Sequence, residues 1–179
     1  MVSTAGAPGA PRVATGREHG WLAGIIFDYG RTLYDPETGD FFPDVAATLA
    51  TLAVTYRLAI VSLVSGEGYT ARRAAREALL RDRDLARHFA AIHFGPTDKD
   101  GLYRRALADL DLPATGIAIV DDRVCRGIAW GNRHGATTIW FRNSKFRDEV
   151  PDAATGSPTH TITALGAVPR VLATGPRAR

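Results

Sequence analysis

The sequence predicts an α/β domain in which a mostly parallel sheet lies between layers of helices. Five short apolar runs alternate along the chain with amphipathic stretches of helical period, an order typical of parallel strands joined by helices. The apolar runs are nearly continuous in Ile, Val and Leu, as in strands that helices cover on both faces. A length of 179 residues with 45% hydrophobic side chains suits one such domain with its own core.

The individual strands and helices follow from these runs. Strands are expected at residues 24–29, 57–62, 91–94, 116–122 and 137–141, with an edge strand at 159–162. Helices are expected at residues 44–55, 70–89, 98–110, 126–134 and 164–172. Pro43 suits the first turn of the first helix, and Leu102, Ala106 and Leu110 repeat every four residues in the third. Residues 143–158 are polar and turn-rich and are predicted as a loop.

Residues 21–174 are predicted to form the folded domain, with residues 1–20 as a disordered lead-in and 175–179 as a frayed tail. Of the 22 basic and 19 acidic residues, four arginines and one glutamate lie in these two ends, which leaves 18 of each sign in the body. The formal charge of +3 therefore belongs to the ends. A nucleic-acid-binding domain would carry a basic stripe on its folded surface, so no nucleic-acid partner is expected.

The sequence also argues against a membrane protein and a secreted one. No apolar run approaches the roughly 18 residues that a membrane span needs, and residues 1–16 contain no apolar segment of a secretion signal. The single cysteine, Cys125, cannot form an intrachain disulfide. A cytoplasmic protein without a membrane partner is expected, with Cys125 as a small buried residue rather than a nucleophile.

Polar side chains close three of the predicted strands. Asp28 ends the first, Ser62 ends the second, and Asp121 and Asp122 end the fourth. In open α/β sheets, ligands bind beyond the carboxyl ends of the strands. Carboxylates gathered there repel one another unless a hard cation such as Mg²⁺, which takes oxygen ligands, lies between them. Each side chain could instead cap a helix; at one strand end the two interpretations are equally good, whereas three such ends together favour a ligand site.

Four motifs in this order resemble those of the haloacid dehalogenase-like (HAD) hydrolase superfamily. Residues 27–33, Phe-Asp-Tyr-Gly-Arg-Thr-Leu, resemble motif I, usually read as DxDGTL. Ser62 matches motif II, Lys99 matches motif III, and the pair Asp121-Asp122 matches motif IV. The resemblance extends from residue 24 to about residue 165. Each motif is weak alone, but four in order at strand ends are specific. The resemblance implies a three-layer Rossmann-like domain with a central, mostly parallel sheet.

The resemblance also implies roles for these residues. Asp28 would be the nucleophile that forms an aspartyl-phosphate, which splits one difficult step into two. Ser62 and Lys99 would bind the oxygens of the transferred phosphoryl group. Asp28, Asp122 and the backbone carbonyl of Gly30 would hold Mg²⁺.

Two further residues would support this site. Asp121 would stabilise the metal site without touching the ion, and the Thr32 hydroxyl would steady the turn after the first strand.

The sequence departs from the family's pattern at three positions. Gly30 stands where most phosphatase members have the aspartate that serves as general acid and base. Such catalysis contributes about 10²–10⁴-fold, so aryl or acyl phosphates should react far faster than alkyl phosphates. Gly127 replaces a further acid that many members carry. Arg31 replaces a glycine and either contacts an anion or points to solvent, the second being slightly favoured.

The spacing leaves no room for a separate cap domain. Asp28 and Ser62 are 34 positions apart, and Ser62 and Lys99 are 37 apart, while a strand–helix–strand unit already takes about 30 residues. A hairpin flap at residues 33–42 fits. Its Phe41 and Phe42 are expected to pack in the core rather than contact substrate. Capless members of the superfamily tend to have open sites, reached by large substrates or closed by a partner subunit.

A dense series of arginines follows the second predicted strand. It is expected to form a solvated helix face, with an anion-recruiting rim near the site as the alternative. The series comprises Arg72, Arg73, Arg76, Arg81, Arg83 and Arg87.

The function expected from the sequence is that of a Mg²⁺-dependent phosphohydrolase. Its substrate would be a phosphorylated small molecule or a large phosphorylated substrate. The alternative is a catalytically weak module that binds a phosphorylated ligand or a protein partner, which the missing acid at Gly30 supports. A response-regulator receiver is rejected, because it needs its acid pair on the first strand and Asp121-Asp122 follow the fourth. The substrate, the pathway and the oligomeric state do not follow from the sequence.

Overall fold

A six-stranded parallel sheet forms the centre of the computed structural model, which describes residues 22–143 and 145–173. The expectations for residues 1–20 and 175–179 lie outside these described residues. The strands are β1 (Gly24–Phe27), β2 (Tyr34–Asp35), β3 (Asp40–Phe41), β4 (Arg57–Leu63), β5 (Phe89–Gly95), β6 (Ile117–Asp121), β7 (Thr137–Phe141) and β8 (His160–Ile162). The sheet order is β5-β4-β1-β6-β7-β8, and every neighbouring pair is parallel. The predicted parallel sheet and its edge strand are confirmed.

Helices cover both faces of the sheet. They are α1 (Val45–Ala53), α2 (Tyr69–Asp82), α3 (Lys99–Leu110), α4 (Ala129–His134) and α5 (Val168–Ala173). Helices α1, α2 and α5 contribute to one hydrophobic core, and α3 and α4 contribute to the other. The three-layer α/β fold expected from the sequence is confirmed.

Side chains along each central strand alternate between the two cores, as the two-residue period of a strand requires. In β1, Ile25 and Phe27 belong to the core shared with α1, whereas Ile26 belongs to the core shared with α3. The same alternation holds in β4 and β6. Because both faces are covered, these strands consist almost wholly of buried apolar residues.

The chain reverses its direction across the sheet beside β1. It runs outward from β1 to β4 and β5, and then returns to place β6 on the other side of β1. Such a switch point opens a crevice at the carboxyl ends of the strands, where ligands bind in α/β folds. The topology therefore brings the ends of β1, β4 and β6 to one place.

Between β1 and α1, the chain forms the predicted hairpin. Strands β2 and β3 pair antiparallel, with Tyr34 opposite Phe41. Phe41 packs edge-on against Tyr29, and Phe42 packs edge-on against Phe141. The two phenylalanines are thus anchored in the core, as expected.

The predicted helix at residues 70–89 was too long. Helix α2 ends at Asp82, and Asp84 adopts a left-handed conformation with φ of 55°. This conformation breaks the helix, and after a 3₁₀ turn at Ala86–His88 the chain enters β5 at Phe89.

Two other helices begin later than predicted. A π turn at Val124–Ile128 precedes α4, and a 3₁₀ turn at Leu165–Ala167 precedes α5. Among the described residues, no helix is both long enough and apolar enough to cross a bilayer.

Candidate active site

The carboxyl ends of three neighbouring strands bring the predicted site residues together. Asp28 follows β1 and donates its backbone N–H to the carbonyl of Val120 on β6 at 2.9 Å. Asp121 is the last residue of β6, and Ser62 lies near the end of β4 on the other side of β1. All three side chains are buried. The parallel register thus gathers residues that are far apart in sequence.

Lys99 links two of these carboxylates. Its Nζ lies 2.7 Å from Oδ1 of Asp28 and 2.6 Å from Oδ2 of Asp121. Lys99 is the first residue of α3, and Asp98 caps this helix by accepting a hydrogen bond from the Gly101 N–H at 2.9 Å. The cap fixes the helix start, and so places the lysine side chain over the strand ends.

Burial and charge pairing act in opposite directions on this cluster. Burial raises the pKa of Asp28, and the nearby Lys99 opposes the rise without cancelling it. Burial alone would lower the pKa of Lys99, but the carboxylates of Asp121 and Asp28 outweigh it and raise that pKa well above its ordinary value. Lys99 therefore stays charged as a fixed cation beside Asp28.

Asp121 is held on both of its oxygens. Oδ2 contacts Lys99, and Oδ1 accepts a hydrogen bond from the Arg123 backbone N–H at 2.8 Å. A Cβ added at Gly127 would lie 2.2 Å from Oδ2 of Asp121. Position 127 therefore accommodates no side chain, because the Asp121 carboxylate occupies that space. This explains the glycine where many HAD-like proteins have an acid.

The donors expected to hold a metal ion lie in one pocket. Asp28, Asp122 and Gly30 line it together, and both carboxylates are buried. Among the described residues, no three His, Cys, Asp or Glu side chains form a complete metal site. Two carboxylates and a backbone carbonyl are hard oxygen donors that leave positions for water, which is the coordination Mg²⁺ prefers. The residues present fit that ion.

The pocket has a volume of about 330 Å³, within the range of about 300–1,000 Å³ for small-molecule sites. It contains all the predicted site residues except Thr32, and four arginines join them. The lining residues are Asp28, Gly30, Arg31, Tyr34, Pro36, Ser62, Leu63, Arg76, Lys99, Asp121, Asp122, Arg123, Arg126 and Phe146. With five cationic and three acidic side chains, the lining is suited to an anionic ligand.

Thr32 and Arg31 differ from expectation. Thr32 is buried, but its Oγ1 has no hydrogen-bond partner among the described residues. Backbone hydrogen bonds from Leu33 and Tyr34 to the Tyr29 carbonyl close the turn instead, so the role predicted for the Thr32 hydroxyl was wrong. Arg31 has a left-handed backbone with φ of 64° and lines the pocket, with its guanidinium 3.7 Å from Glu37. Its side chain is 27% exposed, so the solvent-facing interpretation does not hold.

Arg123 lines the pocket together with Phe146, which belongs to the loop that follows β7. Its guanidinium bonds to the Glu149 carboxylate and lies 3.6 Å from the centre of the Phe146 ring. Glu149 also accepts a hydrogen bond from the Val124 backbone N–H at 2.6 Å. Cys125 beside them is exposed, so the prediction of a buried thiol was wrong. The π turn at Val124–Ile128 carries this cysteine outward.

Sequence reasoning singled out neither Arg123 nor Arg126, and treated Arg76 as one of a solvated series. Most of that series does face solvent: Arg73 pairs with Glu77, and Arg87 pairs with Asp84. Arg76 is half-buried and faces the pocket. The signal was available, because Arg76 lies one turn before Leu80, the buried residue of α2.

Several solved structures share this fold. L-2-haloacid dehalogenase RSc1362 matches with a TM-score of 0.68 and 13% identity, covering 86% of this chain and 100% of that one. A HAD phosphatase from Thermococcus onnurineus matches with a TM-score of 0.64 and 13% identity, covering 88% and 100%. YfnB from Bacillus subtilis, described as a HAD-hydrolase bound to magnesium, has a TM-score of 0.57 and 20% identity. That match covers 74% of this chain and 56% of YfnB.

No family model and no curated protein matches the sequence. The similarity to known proteins is therefore one of fold, and it includes both phosphatases and dehalogenases.

Proposed function

Because the chain has the fold of the haloacid dehalogenase-like hydrolases, we propose that it is a Mg²⁺-dependent phosphohydrolase whose nucleophile is Asp28. The observation that carries the proposal is the pairing of Asp28 with Lys99 at the switch point of the sheet, in one pocket with Ser62 and Asp122. A nucleophilic carboxylate, a fixed cation and hard oxygen donors are the groups that phosphoryl transfer requires.

The reaction proceeds in two displacements. A carboxylate oxygen of Asp28 attacks phosphorus, the bond from phosphorus to the ester oxygen breaks, and that oxygen leaves with the bonding pair and takes a proton from water. Water then attacks the aspartyl-phosphate and gives up a proton, the bond from phosphorus to the Asp28 oxygen breaks, and inorganic phosphate and the free carboxylate result. The released proton neutralises the hydroxide that the first step left behind. Lys99 and Ser62 hold the non-bridging phosphoryl oxygens throughout. When bound by Asp28, Asp122 and the Gly30 carbonyl, Mg²⁺ supplies positive charge that neutralises the phosphoryl group.

Gly30 determines which leaving groups depart readily. With no carboxyl group at this position, nothing there protonates the ester oxygen as its bond to phosphorus breaks. Phenols and carboxylic acids leave without that help, whereas aliphatic alcohols do not. The substrates are accordingly expected to be aryl or acyl phosphates.

The decisive experiment measures phosphate release from an aryl phosphate by the wild type and by Asp28→Asn, with and without Mg²⁺. Turnover should require Mg²⁺ and should vanish in Asp28→Asn. Asp148→Asn is the matched control, because the Asp148 side chain is 85% exposed. Turnover that persists without Mg²⁺, or in Asp28→Asn, would contradict the proposal.

The second candidate function is a module that binds a phosphorylated ligand without turning it over, and the absence of an acid at Gly30 favours it. Calorimetry with Mg²⁺ and inorganic phosphate, run beside the activity assay, separates the two functions. Binding of phosphate together with no turnover of any aryl or acyl phosphate would support the module. Halide release from a 2-halo acid without Mg²⁺ would instead indicate dehalogenase chemistry.

A further inference from the structure

Arg76 is a half-buried cation on the wall of the pocket. Its guanidinium lies 5.1 Å from the centre of the Tyr29 ring and 5.6 Å from that of Phe94. Nη1 donates a hydrogen bond to the Leu63 carbonyl at 3.0 Å. The aromatic rings and this carbonyl hold the guanidinium in a fixed position beside the pocket. Among the described residues, Nη1 is the only guanidinium nitrogen of Arg76 that forms a hydrogen bond.

Among the described residues, no carboxylate forms an ion pair with Arg76, although three other arginines of the series have such a partner. Arg73, Arg83 and Arg87 each form an ion pair with an aspartate or glutamate. Burial lowers the pKa of Arg76, but an arginine remains charged in proteins. The negative charge of Asp28 counters part of this lowering of the pKa, but the Asp28 carboxylate itself is paired with Lys99. A partly buried charge without a partner is costly unless a ligand compensates it.

Arg76 and Lys99 approach the segment that follows β1 from opposite faces of the sheet. Tyr29, under the Arg76 guanidinium, packs in the core to which α2 contributes. Asp28 points the other way and contacts Lys99 on α3. The two cations therefore face the same pocket from different layers, so one ligand with two anionic groups can contact both. The pocket volume of about 330 Å³ accommodates a larger ligand than one phosphoryl group.

We propose that Arg76 binds a second anionic group of the substrate, so that the enzyme acts on phosphate esters that also carry a carboxylate or a second phosphate. The proposal rests on the proposed function for the phosphoryl end of the substrate. A planar guanidinium with unused N–H groups pairs with a carboxylate or phosphate through two parallel hydrogen bonds. Arg76 on α2 then determines which substrates bind, whereas the residues at the strand ends carry out the phosphoryl transfer.

The test compares three aryl phosphates on each variant: phenyl phosphate, 4-carboxyphenyl phosphate and hydroquinone bisphosphate. In Arg76→Gln, the ratio of kcat/KM for either doubly anionic substrate to that for phenyl phosphate should fall by about 10- to 100-fold relative to the wild type, the value of a hydrogen bond to a charged group. Arg73→Gln, on the same helix and exposed, should leave all three values unchanged. An equal fall for all three substrates in Arg76→Gln would overturn the proposal, because Arg76 would then act on the phosphoryl end or on folding.

A second variant and a binding measurement keep the two proposals separable. Arg76→Lys retains the positive charge and the aliphatic part of the side chain but not the planar guanidinium. It should therefore fold, as judged by its urea midpoint, and still lose most of the preference for doubly anionic substrates. If the wild type turns over none of the three compounds, the proposed function fails. Calorimetry then measures the binding of the same compounds and tests the second anion site at Arg76 by itself. Tighter binding of 4-carboxyphenyl phosphate than of phenyl phosphate, lost in Arg76→Gln, supports the second anion site; equal binding of both overturns it.

Discussion

At the scale of single residues, Lys99 holds the candidate site together. Its ammonium group bridges Asp28 and Asp121, which come from different strands and are both buried. Removal of the cation would leave two buried carboxylates facing each other without compensation. The same side chain therefore stabilises the fold, and in the proposed function it also binds the anionic substrate.

Lys99→Met is expected to abolish turnover and to lower the free energy of unfolding by about 3–5 kcal/mol, because one partner of a buried ion pair is removed. Urea denaturation measures the second effect. Adding Asp121→Asn to Lys99→Met should recover part of the stability, since one of the unpaired carboxylates is then neutral. Lys145→Met, at an exposed lysine, is the control. An unfolding free energy for Lys99→Met equal to that of this control would refute the structural role.

Gly30 is the residue at which the candidate site differs most from the motifs that it resembles. A Cβ added there would meet no atom within 4 Å, so a carboxyl group can be introduced without a clash. Gly30→Asp is expected to raise kcat/KM for alkyl phosphates, by at most the roughly 10²–10⁴-fold that a positioned general acid contributes. Gly30→Asn has the same shape without the acid and should give no gain. Equal rates for the two variants on an alkyl phosphate would mean that another group already supplies the proton.

Asp28, Ser62, Asp121 and Asp122 were predictable because they lie at predicted strand ends, which a parallel topology brings together, whereas Lys99 was predicted from the resemblance to motif III. The spacing of Arg76 to the buried Leu80 indicates a partly buried side chain, but no motif indicates that this side chain lies in the pocket. Arg76 lies within a run of arginines that mostly face solvent, and its burial depends on Tyr29 and Phe94, which come from other elements. Likewise, Cys125 is exposed because of a π turn that no local pattern indicated.

At the scale of elements, α3 has the clearest sequence signal and the most direct effect on the site. Its apolar side packs Leu102, Ala106 and Leu110 on the sheet, as their spacing predicted. Its first residue is Lys99, so the start of this helix fixes the position of a site residue. By contrast, the predicted end of α2 was wrong, because the left-handed backbone of Asp84 ends the helix and no residue pattern indicated that conformation.

Asp98→Ala is expected to lower the free energy of unfolding by about 1 kcal/mol, within the usual range of about 0.5–2 kcal/mol for a lost N-cap. Its carboxylate accepts the Gly101 N–H, which would lose its partner. Asp44→Ala is the matched control, because Asp44 precedes α1 but makes no side-chain cap hydrogen bond. Thermal or urea unfolding of both variants provides the measurement. A loss in Asp44→Ala as large as that in Asp98→Ala would contradict the capping role.

At the scale of the whole molecule, the sheet separates two hydrophobic cores. Leu49 on α1 lies in one, and Leu110 on α3 lies in the other. Both side chains are fully buried. Since the backbone of the sheet lies between the two cores, a cavity made in one core should not change the side-chain packing of the other.

Leu49→Ala and Leu110→Ala are each expected to cost about 2–5 kcal/mol of unfolding free energy, as buried leucines do. The double variant should lose the sum of the two within about 0.5 kcal/mol, because residues without shared partners behave additively. Urea denaturation of the three variants measures the coupling. A coupling above about 1 kcal/mol would show that the sheet transmits strain between its faces.

Lys99 was predicted from the resemblance to the HAD-like motifs. The sequence by itself predicted the parallel α/β architecture, the hairpin after the first strand and the strand-end positions of Asp28, Ser62 and Asp122. These features depend on periods of two and 3.6 residues and on the ends of elements, which are properties of neighbouring residues. The tertiary structure alone decided the bridging of Asp28 and Asp121 by Lys99, the space at Gly30 and the placement of Arg76 against the Tyr29 ring. Each of these depends on contacts between elements distant in sequence, and no local pattern encodes such distances.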